Sequence, residues 1–485
     1  MAEDSAYDVV IVGGGMVGAS LAIALGATPL RVAVLEAVPF RSDRQPSYDD
    51  RAIALAYGTR RIFEGMGLWS ALRAEATPIH DIHISDRGHF GFTRLDRRDE
   101  GVEALGYVAV SRVMGAVLAE RLQALPNVDL LCPAVVTNVV TGGDHAEVTV
   151  ECGGLAQRLT SRLVVAADGA TSQVRDWFGI DTRRWDYGQT AVITNITPER
   201  PHQNRAFERF TDGGPLALLP MSGNRCSVVW TVRGARADQV LAMDDEAFLR
   251  ALHARFGDRL GSFLRAGARR AYPLQLVRAR EHVRPRLALI GNAAHTLHPV
   301  AGQGFNLGLR DVAVLAEVLS DAAANSRDIG SLEVLRSYAQ WRRQDHLKMI
   351  AFTDGLARVF ANPLAPLRAL RNAGMLAVDL LPPLKHVLTR HTMGLAGKLP
   401  RLARGLPLSR PASFAFANLP PPGSTPESVV DRHPDFPSPT GRRWPEGPDE
   451  GDRKMSTAFN TRSSGEIPRS SPLTPSLSQW ERGTR

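Results

Sequence analysis

Three glycines with the spacing G-x-G-x-x-G follow a short run of valines and isoleucine near the start of the chain: Gly13, Gly15 and Gly18. The first permits a tight strand-to-helix turn, the second lets backbone approach a pyrophosphate, and the third lets the helix pack closely on the strand. The helix N-terminus then offers free N–H groups to the phosphate. Glu36 ends the next apolar run, where a carboxylate can accept hydrogen bonds from ribose hydroxyls. The spacing therefore predicts a dinucleotide site.

Two later stretches place glycines after apolar runs that are typical of buried strands. The first is AADGATSQVR, residues 166–175, where an Asp-Gly pair closes the strand; taken alone, such a pair is also an ordinary turn. The second is LIGNAAHTLHPVAGQGFNLGLRD, residues 289–311. There Gly302 and Gly304 let backbone N–H groups approach a ring at the start of a helix, whose N-terminus stabilises negative charge.

In this order the three stretches resemble the fingerprints of the flavoprotein aromatic hydroxylases, which implies a bound FAD. Asp168 and Gly169 would then lie near the FAD, and Arg175 would support the turn and the passing pyridine nucleotide. Asn292 stands where the family usually has an aspartate that bonds the ribityl chain. Arg51, beside the flavin, and Arg112, near the pyrophosphate, follow from the resemblance alone. The expected cofactor-binding residues are Gly13, Gly15, Gly18, Glu36, Arg51, Arg112, Asp168, Gly169, Arg175, Gly291, Asn292, Gly302, Gln303, Gly304 and Asn306.

Three further stretches narrow the resemblance to the hydroxylases of ubiquinone biosynthesis, over residues 7 to about 395. They are RAIALAYGTRRIFEGMGLW, IHISDRGHFGFTRL and RAFERFTDGGPLALLPMSGNRCSVVW. The branch that acts on 2-polyprenyl-6-methoxyphenols is the most similar, and it shares Asn292. The resemblance implies hydroxylation of a polyprenylated phenol, with NADPH or NADH as donor, O₂ as oxidant and a flavin C4a-hydroperoxide as the oxygen carrier. Such an adduct requires a dry site.

The residues that would perform acid–base chemistry are less sharply indicated. His298, followed by Pro299, and His295 are candidates because imidazole titrates near neutral pH. A histidine in a strand-to-loop turn is more often a hydrogen-bonded structural residue, so that alternative stays open. His298 and Pro299 are the predicted catalytic positions, and the flavin is expected to carry most of the chemistry. No metal site is predicted.

The order of elements predicts an α/β fold of the p-hydroxybenzoate hydroxylase type. A Rossmann-like FAD-binding domain would span residues 1–182 and 273–345, with an inserted antiparallel β-sheet substrate domain at 183–272 that also takes part of 78–110. Residues 346–400 are predicted to form C-terminal helices, and residues 50–76 and 111–125 are predicted helical. Residues 401–485 are rich in Pro, Ser and Arg, which predicts a mostly disordered tail.

Composition limits the cell compartment and the partners. The 58 basic and 50 acidic residues give a net charge of +8, but the arginines are dispersed, which argues against a nucleic-acid partner. Three separated cysteines indicate a reducing compartment. We therefore expect a cytoplasmic protein, with peripheral contact at the inner face of the membrane or with partner proteins that deliver the insoluble substrate.

The sequence is also compatible with two other functions. A catabolic FAD hydroxylase acting on a small soluble phenol would share all three fingerprints. A non-catalytic FAD-binding scaffold of a quinone-biosynthetic complex would also be yellow, but it would not oxidise NAD(P)H in the presence of any phenol.

Overall fold

The first strand is buried on both faces, as its run of valines and isoleucine predicts. In the computed structural model, which describes residues 5–39, 51–297, 302–362 and 364–408, this strand, β1, spans Ser5–Val12. Val9 and Ile11 pack into one hydrophobic core, whereas Val10 and Val12 pack into a second core. Because side chains alternate along a strand, the two cores lie on opposite faces of the sheet, and the run must be apolar throughout.

The remaining elements are numbered in chain order. The strands are β2 (Val32–Leu35), β3 (Ala52–Ala56), β4 (Thr77–Ile79), β5 (Asp81–Asp86), β6 (Phe92–Asp96), β7 (Gly106–Val110), β8 (Val128–Leu131), β9 (Val135–Thr141), β10 (Ala146–Cys152), β11 (Leu155–Ala166), β12 (Thr182–Pro198), β13 (Arg205–Thr211), β14 (Gly214–Met221), β15 (Arg225–Arg233), β16 (Phe263–Ala266), β17 (Arg270–Ala279), β18 (Val283–Arg284), β19 (Leu287–Leu289) and β20 (His295–Thr296). The helices are α1 (Met16–Leu25), α2 (Tyr57–Gly65), α3 (Trp69–Arg73), α4 (Ser111–Gln123), α5 (Gln173–Trp177), α6 (Gly234–Ala242), α7 (Asp245–Phe256), α8 (Gln303–Ala324), α9 (Leu332–Ala361), α10 (Ala365–Leu380) and α11 (Pro382–Thr392).

The first sheet is a parallel sheet with an antiparallel extension. Its strand order is β18-β19-β11-β1-β2-β8, and β1 runs parallel to both of its neighbours, β11 and β2. Strands β9 and β10 extend the long β11 as an antiparallel meander. Residues of α1, α4 and α8 pack into the core on one face of this sheet. Open parallel sheets of this kind place ligands at the carboxyl ends of their strands.

The second sheet has nine strands in the order β20-β17-β12-β15-β14-β13-β5-β6, with β16 paired to β12. Its pairs are antiparallel except β13 with β5, which run parallel. Strands β5 and β6 come from residues 81–96, far from the rest of the sheet in sequence. Helices α6 and α7 cover one face of this sheet through a core that includes Phe248, Leu252 and Phe256.

The small third sheet corrects one expectation. Residues 52–56, predicted as part of a helix, form strand β3, which pairs with β7 in the order β3-β7-β4. Alanine-rich composition favours a helix, but Ala54 lies opposite Val108 in a ladder of backbone hydrogen bonds. Pairing with a distant strand therefore overrides the local preference. Helix α2 then follows at Tyr57.

Helices α9, α10 and α11 form the C-terminal layer that composition predicts. Packed structure continues past residue 400, where the predicted tail begins, because Leu402, Ala403 and Leu408 are buried. The rest of that tail, residues 409–485, lies outside the described residues. None of the helices in the described part of the chain is both long and apolar enough to cross a bilayer. The predicted α/β architecture, with its second sheet and C-terminal helices, is confirmed.

Candidate functional site

Four adjacent strands of the first sheet end at the motifs singled out in the sequence. Gly13 follows β1, Glu36 follows β2, Asp168 lies just beyond β11, and Gly291 lies just beyond β19. These strands are neighbours in the order β19-β11-β1-β2, and they run parallel. Their carboxyl ends therefore meet at one edge of the sheet. Parallel pairing thus brings together, at one site, positions that are spread over nearly 280 residues of sequence.

The first glycine turn has no room for side chains. Gly13 has φ +102°, and a Cβ at this position would lie 2.5 Å from the carbonyl oxygen of Ala167. A Cβ at Gly18 would lie 1.9 Å from the carbonyl oxygen of Gly13. Helix α1 follows Gly15, and no described side chain caps its N-terminus. Its first N–H groups are therefore available for a phosphate.

Glu36 is held in place by the turn it faces. One carboxylate oxygen, Oε2, accepts a hydrogen bond of 2.7 Å from the Gly14 N–H. The other, Oε1, accepts a hydrogen bond of 2.8 Å from the Val38 N–H. Each oxygen keeps a further lone pair for a ligand hydroxyl. The geometry therefore fits the ribose contact predicted from the sequence.

The Asp-Gly turn after β11 leaves one polar atom without a protein partner. Asp168 Oδ2 accepts a hydrogen bond of 3.1 Å from the Val174 N–H. Its Oδ1 is buried and has no hydrogen-bond partner among the described residues. Burial raises the pKa of this carboxyl group. An orphaned acceptor at the sheet edge is what a cofactor hydroxyl would satisfy.

Arg175 connects the second and third fingerprint stretches through hydrogen bonds to their backbone. Its side chain is fully buried, with Nη2 donating to the carbonyl of Ala170 (3.2 Å) and Nη1 donating to the carbonyl of Ala293 (3.1 Å). It does not line the cavity described below. Its described contacts therefore give it the predicted support of the turn, and none of them faces a ligand.

The start of α8 is fixed by the side chain of Asn306. Its Oδ1 accepts from the Ala56 N–H (2.8 Å) and the Thr59 hydroxyl (2.7 Å), and its Nδ2 donates to the carbonyls of Ala54 (2.9 Å) and Gly302 (2.8 Å). These bonds use the whole hydrogen-bonding capacity of the amide. Asn306 therefore fixes Gly302 and the start of α8 against β3 and α2.

The two glycines at the start of α8, Gly302 and Gly304, differ in their surroundings. Gly302 has φ +62°, and a Cβ there would lie 2.9 Å from the Cβ of Ala54. A Cβ at Gly304 would meet no atom of the described residues within 4 Å, and this glycine lines the cavity described below. The Gln303 side chain donates a hydrogen bond to the carbonyl of Thr392, which attaches α11 to the start of α8.

A cavity of about 1350 Å³ runs from this sheet edge to the second sheet. The predicted residues that line it are Gly13, Gly15, Glu36, Arg51, Asp168, Gly169, Gly291, Asn292, Gly302, Gln303, Gly304 and Asn306. The predicted residues Gly18, Arg112 and Arg175 do not line it. Gly18 packs against Gly13, and Arg112 is an exposed residue of the first turn of α4. The predicted catalytic positions His298 and Pro299 lie outside the described residues.

Two hydroxyl groups at the cavity were missed in the sequence. Ser111 begins α4 and Thr296 ends β20; both line the cavity. Their oxygens are buried and have no hydrogen-bond partner among the described residues. The resemblance indicated the start of α4 through Arg112, but it gave no signal for the neighbouring serine. Arg51 also lines the cavity, with its guanidinium 5.1 Å from the centre of the Tyr272 ring.

The other half of the cavity is apolar. The second sheet contributes isoleucines, valines and alanines, and helices α9 to α11 contribute the facing residues Phe352, Leu356, Phe360, Met375, Val378 and Leu388. Glu208, on β13, also lines this half. It lies in the stretch RAFERFTDGGPLALLPMSGNRCSVVW that narrows the resemblance, but the resemblance assigned this glutamate no role.

The S-D-R-G-H stretch holds α10 over the cavity. The Asp86 carboxylate accepts hydrogen bonds from Arg371 Nε (2.9 Å) and Asn372 Nδ2 (3.1 Å), and all three side chains are buried. Asn372 Oδ1 accepts from the Gly91 N–H at 2.9 Å. The Thr93 hydroxyl donates to the carbonyl of Met375 at 2.7 Å. The most distinctive motif in the sequence is therefore an anchor for a cavity wall.

His295 belongs to a closed polar cluster behind the site. Asp311 accepts from His295 Nε2 (2.7 Å), His346 Nε2 (2.6 Å) and Arg342 Nε (2.7 Å). The two histidines and the aspartate lie close enough for a metal ion, but their facing atoms bond one another and Arg342 already balances the charge. Burial lowers the pKa of His346 to about 4. His295 does not line the cavity. It is therefore better described as a hydrogen-bonded structural residue than as an acid–base catalyst.

Comparison with known proteins adds an independent finding. A family model described as FAD binding domain matches residues 6–353. The ubiquinone hydroxylase UbiL of Rhodospirillum rubrum is 42% identical over 408 residues, which cover 84% of this chain and 94% of that protein. The 3-demethoxyubiquinol 3-hydroxylase of Escherichia coli is 34% identical, covering 80% and 98% respectively. Among solved structures, p-nitrophenol 4-monooxygenase PnpA of Pseudomonas putida has a TM-score of 0.68 at 21% identity, over 81% of this chain and 99% of that chain. This last likeness shows a shared fold.

Proposed function

Because the chain belongs to the FAD-dependent hydroxylases of ubiquinone biosynthesis, we propose that it hydroxylates a polyprenylated phenol of the 2-polyprenyl-6-methoxyphenol type. NADPH or NADH supplies two electrons. One atom of O₂ enters the ring, and the other leaves as water. FAD, when bound, supplies the exchange of electrons with the nicotinamide and the hydroperoxide chemistry predicted from the sequence. The residues at the sheet edge fit this cofactor, since the orphaned Asp168 Oδ1 and the open space at Gly304 both face the cavity.

The observation that carries the proposal is that a single cavity has both a cofactor-binding end and an apolar end that suits the substrate. Glycine backbone, Glu36 and Asp168 line its cofactor end, and isoleucine, leucine and phenylalanine side chains line its other end. An apolar wall excludes water, which would otherwise divert activated oxygen to peroxide. The same wall suits a substrate that carries a long hydrocarbon chain.

We also propose that the exposed face of α10 and α11 contacts the membrane that holds such a substrate. Large apolar residues of these helices and of the positions that flank them are exposed: Leu364, Leu367, Leu370, Leu380, Leu381, Leu384 and Val387. Arg368, Lys385 and Arg390 lie on the same helices, where they can approach anionic headgroups. Flotation with vesicles containing anionic lipid tests this proposal. Replacing Leu370 and Leu380 by glutamine should abolish flotation. Unchanged flotation of this variant would contradict the proposed contact face, and a wild-type protein that does not float would favour delivery by a partner protein.

The decisive test of the activity uses the purified, FAD-reconstituted protein. NAD(P)H oxidation is followed with a short-chain 2-prenyl-6-methoxyphenol and with the unprenylated phenol, and the products are identified by mass spectrometry. We expect a hydroxylated product and faster turnover of the prenylated phenol. Equal turnover of the unprenylated phenol would favour a catabolic hydroxylase. A yellow protein that oxidises no NAD(P)H with either phenol would favour a scaffold.

A further inference from the structure

Five side chains in register on neighbouring strands of the second sheet line the cavity, and Glu208 is the one charged residue among these five. Backbone register places Ile193 beside Val229, Val229 beside Ala217, Ala217 beside Glu208, and Glu208 beside Ile84. All five residues line the cavity. Because residues in register on neighbouring strands point to the same face of a sheet, Glu208 lies at the centre of an apolar wall.

The carboxylate of Glu208 has no partner in the part of the chain that the structure describes. Among the described residues, no hydrogen bond or ion pair involves this side chain, although its backbone pairs on both sides. The side chain is only partly exposed, and the surface it exposes is cavity surface. Burial raises the pKa of Glu208 to about 7. An unpaired carboxylate in an apolar wall destabilises a fold, so its presence points to a ligand group that meets it.

The other charged groups at the cavity are engaged elsewhere. Glu36 and Asp168 accept backbone hydrogen bonds at the cofactor end, and the Arg51 guanidinium lies over Tyr272. Arg371, on the facing helix α10, is paired with Asp86 and with backbone carbonyls. Burial is the only cause that shifts the pKa of Glu208, which indicates that no described charge faces it closely.

We propose that Glu208 is a catalytic residue that binds the hydroxyl group of the phenol substrate and accepts its proton, an inference that rests on the proposed function. The O–H bond of the phenol breaks, its proton moves to a Glu208 carboxylate oxygen, and its electron pair moves into the ring. This makes the ring carbon that receives the oxygen atom more nucleophilic. When that carbon later releases its hydrogen as a proton, the same carboxyl group returns a proton to the ring oxygen, so Glu208 ends as it began.

The test compares Glu208→Gln with wild type. We expect kcat/KM for 2-prenyl-6-methoxyphenol to fall by about 100-fold, the lower range for loss of a general base, while FAD content stays unchanged. Wild-type kcat/KM should rise with pH through about 7, and this rise should be absent in the variant. Glu246→Gln, on the exposed side of α7, is the matched control and should behave as wild type. An unchanged kcat/KM and pH profile in Glu208→Gln would overturn the inference.

A binding measurement separates this inference from the proposed activity. The dissociation constant of the phenol is measured from its effect on the flavin absorption spectrum, beside that of its O-methyl ether, which has no proton to donate. Wild type should bind the phenol at least 10-fold more tightly than the ether above pH 7, and Glu208→Leu, which suits the apolar wall, should lose this discrimination. Equal discrimination in both proteins would overturn the inference. Discrimination without turnover would support Glu208 and contradict the activity alone.

Discussion

At the scale of single residues, the site depends on what each glycine backbone touches. Gly18 packs directly onto the carbonyl of Gly13, so it has no space for a methyl group. Gly304 faces open cavity at the start of α8. One glycine is therefore required by the fold itself, whereas the other keeps space for a ligand.

These two glycines give opposite expectations for alanine. Gly18→Ala should lower the melting temperature and abolish FAD retention, because its Cβ would overlap a backbone oxygen at 1.9 Å. Gly304→Ala should leave the stability of the FAD-free protein unchanged within about 0.5 kcal/mol and weaken FAD binding. Thermal unfolding and FAD titration of both variants check this. A normal FAD affinity in Gly304→Ala would show that the cofactor does not approach this backbone.

Glu208 predicts how stability depends on pH. Its folded-state pKa of about 7 lies above the ordinary value of 4.5. Between these values the folded state keeps a proton that the unfolded state releases, so this group destabilises the fold increasingly as pH rises through the window. Glu208→Gln should therefore gain stability relative to wild type from about pH 5 to about pH 8, by on the order of 3 kcal/mol. Denaturant unfolding at several pH values measures this difference. A constant difference across the range would contradict it.

At the scale of elements, the wall of the cavity is held by contacts between segments almost 300 residues apart. Helix α10 is attached to β5 through the Asp86 carboxylate and to β6 through the Thr93 hydroxyl. The start of α8 is attached to β3 through Asn306. Each attachment uses buried polar groups whose bonds are directional. The helices therefore have one defined position over the second sheet.

Removing the charge of Asp86 should loosen that wall. Asp86→Asn leaves the guanidinium of Arg371 buried without its partner, and such a change costs about 3–5 kcal/mol. Denaturant unfolding measures this loss, and hydrogen exchange should increase first in residues 365–380. Asp212→Asn provides the control, because its ion pair with Arg255 is exposed and contributes less than about 1 kcal/mol. Equal stability of the two variants would show that the buried pair does not hold α10.

At the scale of the whole molecule, the described residues all fall within one compact unit, Met1–Ala415. Residues 401–408 belong to it through Leu402 and Leu408, which are 1% and 2% exposed. The Arg401 side chain also reaches Glu317 and Asp321 on α8. The composition change near residue 400 therefore does not mark the end of the packed structure.

Two truncations test where the functional unit ends. A chain that stops after Ala415 should retain FAD and melt at the wild-type temperature. A chain that stops after Pro400 loses two buried leucines, each of which contributes about 1.5–3 kcal/mol, and it should melt at a lower temperature. Calorimetry and FAD content compare the three proteins. A wild-type melting temperature for the shorter chain would contradict the packing described for residues 401–408.

The sequence by itself determined the cofactor end of the protein. Gly13 and Gly302 have positive φ, and a Cβ at Gly18 would meet the backbone of Gly13 in the same turn, so these glycines leave a signature that is visible in the sequence. The runs of β-branched residues likewise predicted the parallel sheet, because strands buried on both faces must be apolar throughout. The parallel sheet and the family are both confirmed.

Only the tertiary structure decided the apolar end. The orientation of Glu208 follows from strand register, and a shift of one residue would place it on the opposite face, against α7. Strand β3 forms because a distant strand pairs with it. The hydroxyls of Ser111 and Thr296 matter because they are buried and find no partner among the described residues. Side-chain direction, burial and long-range pairing depend on residues far away in the chain. Local composition therefore could not reveal which carboxylate faces the cavity.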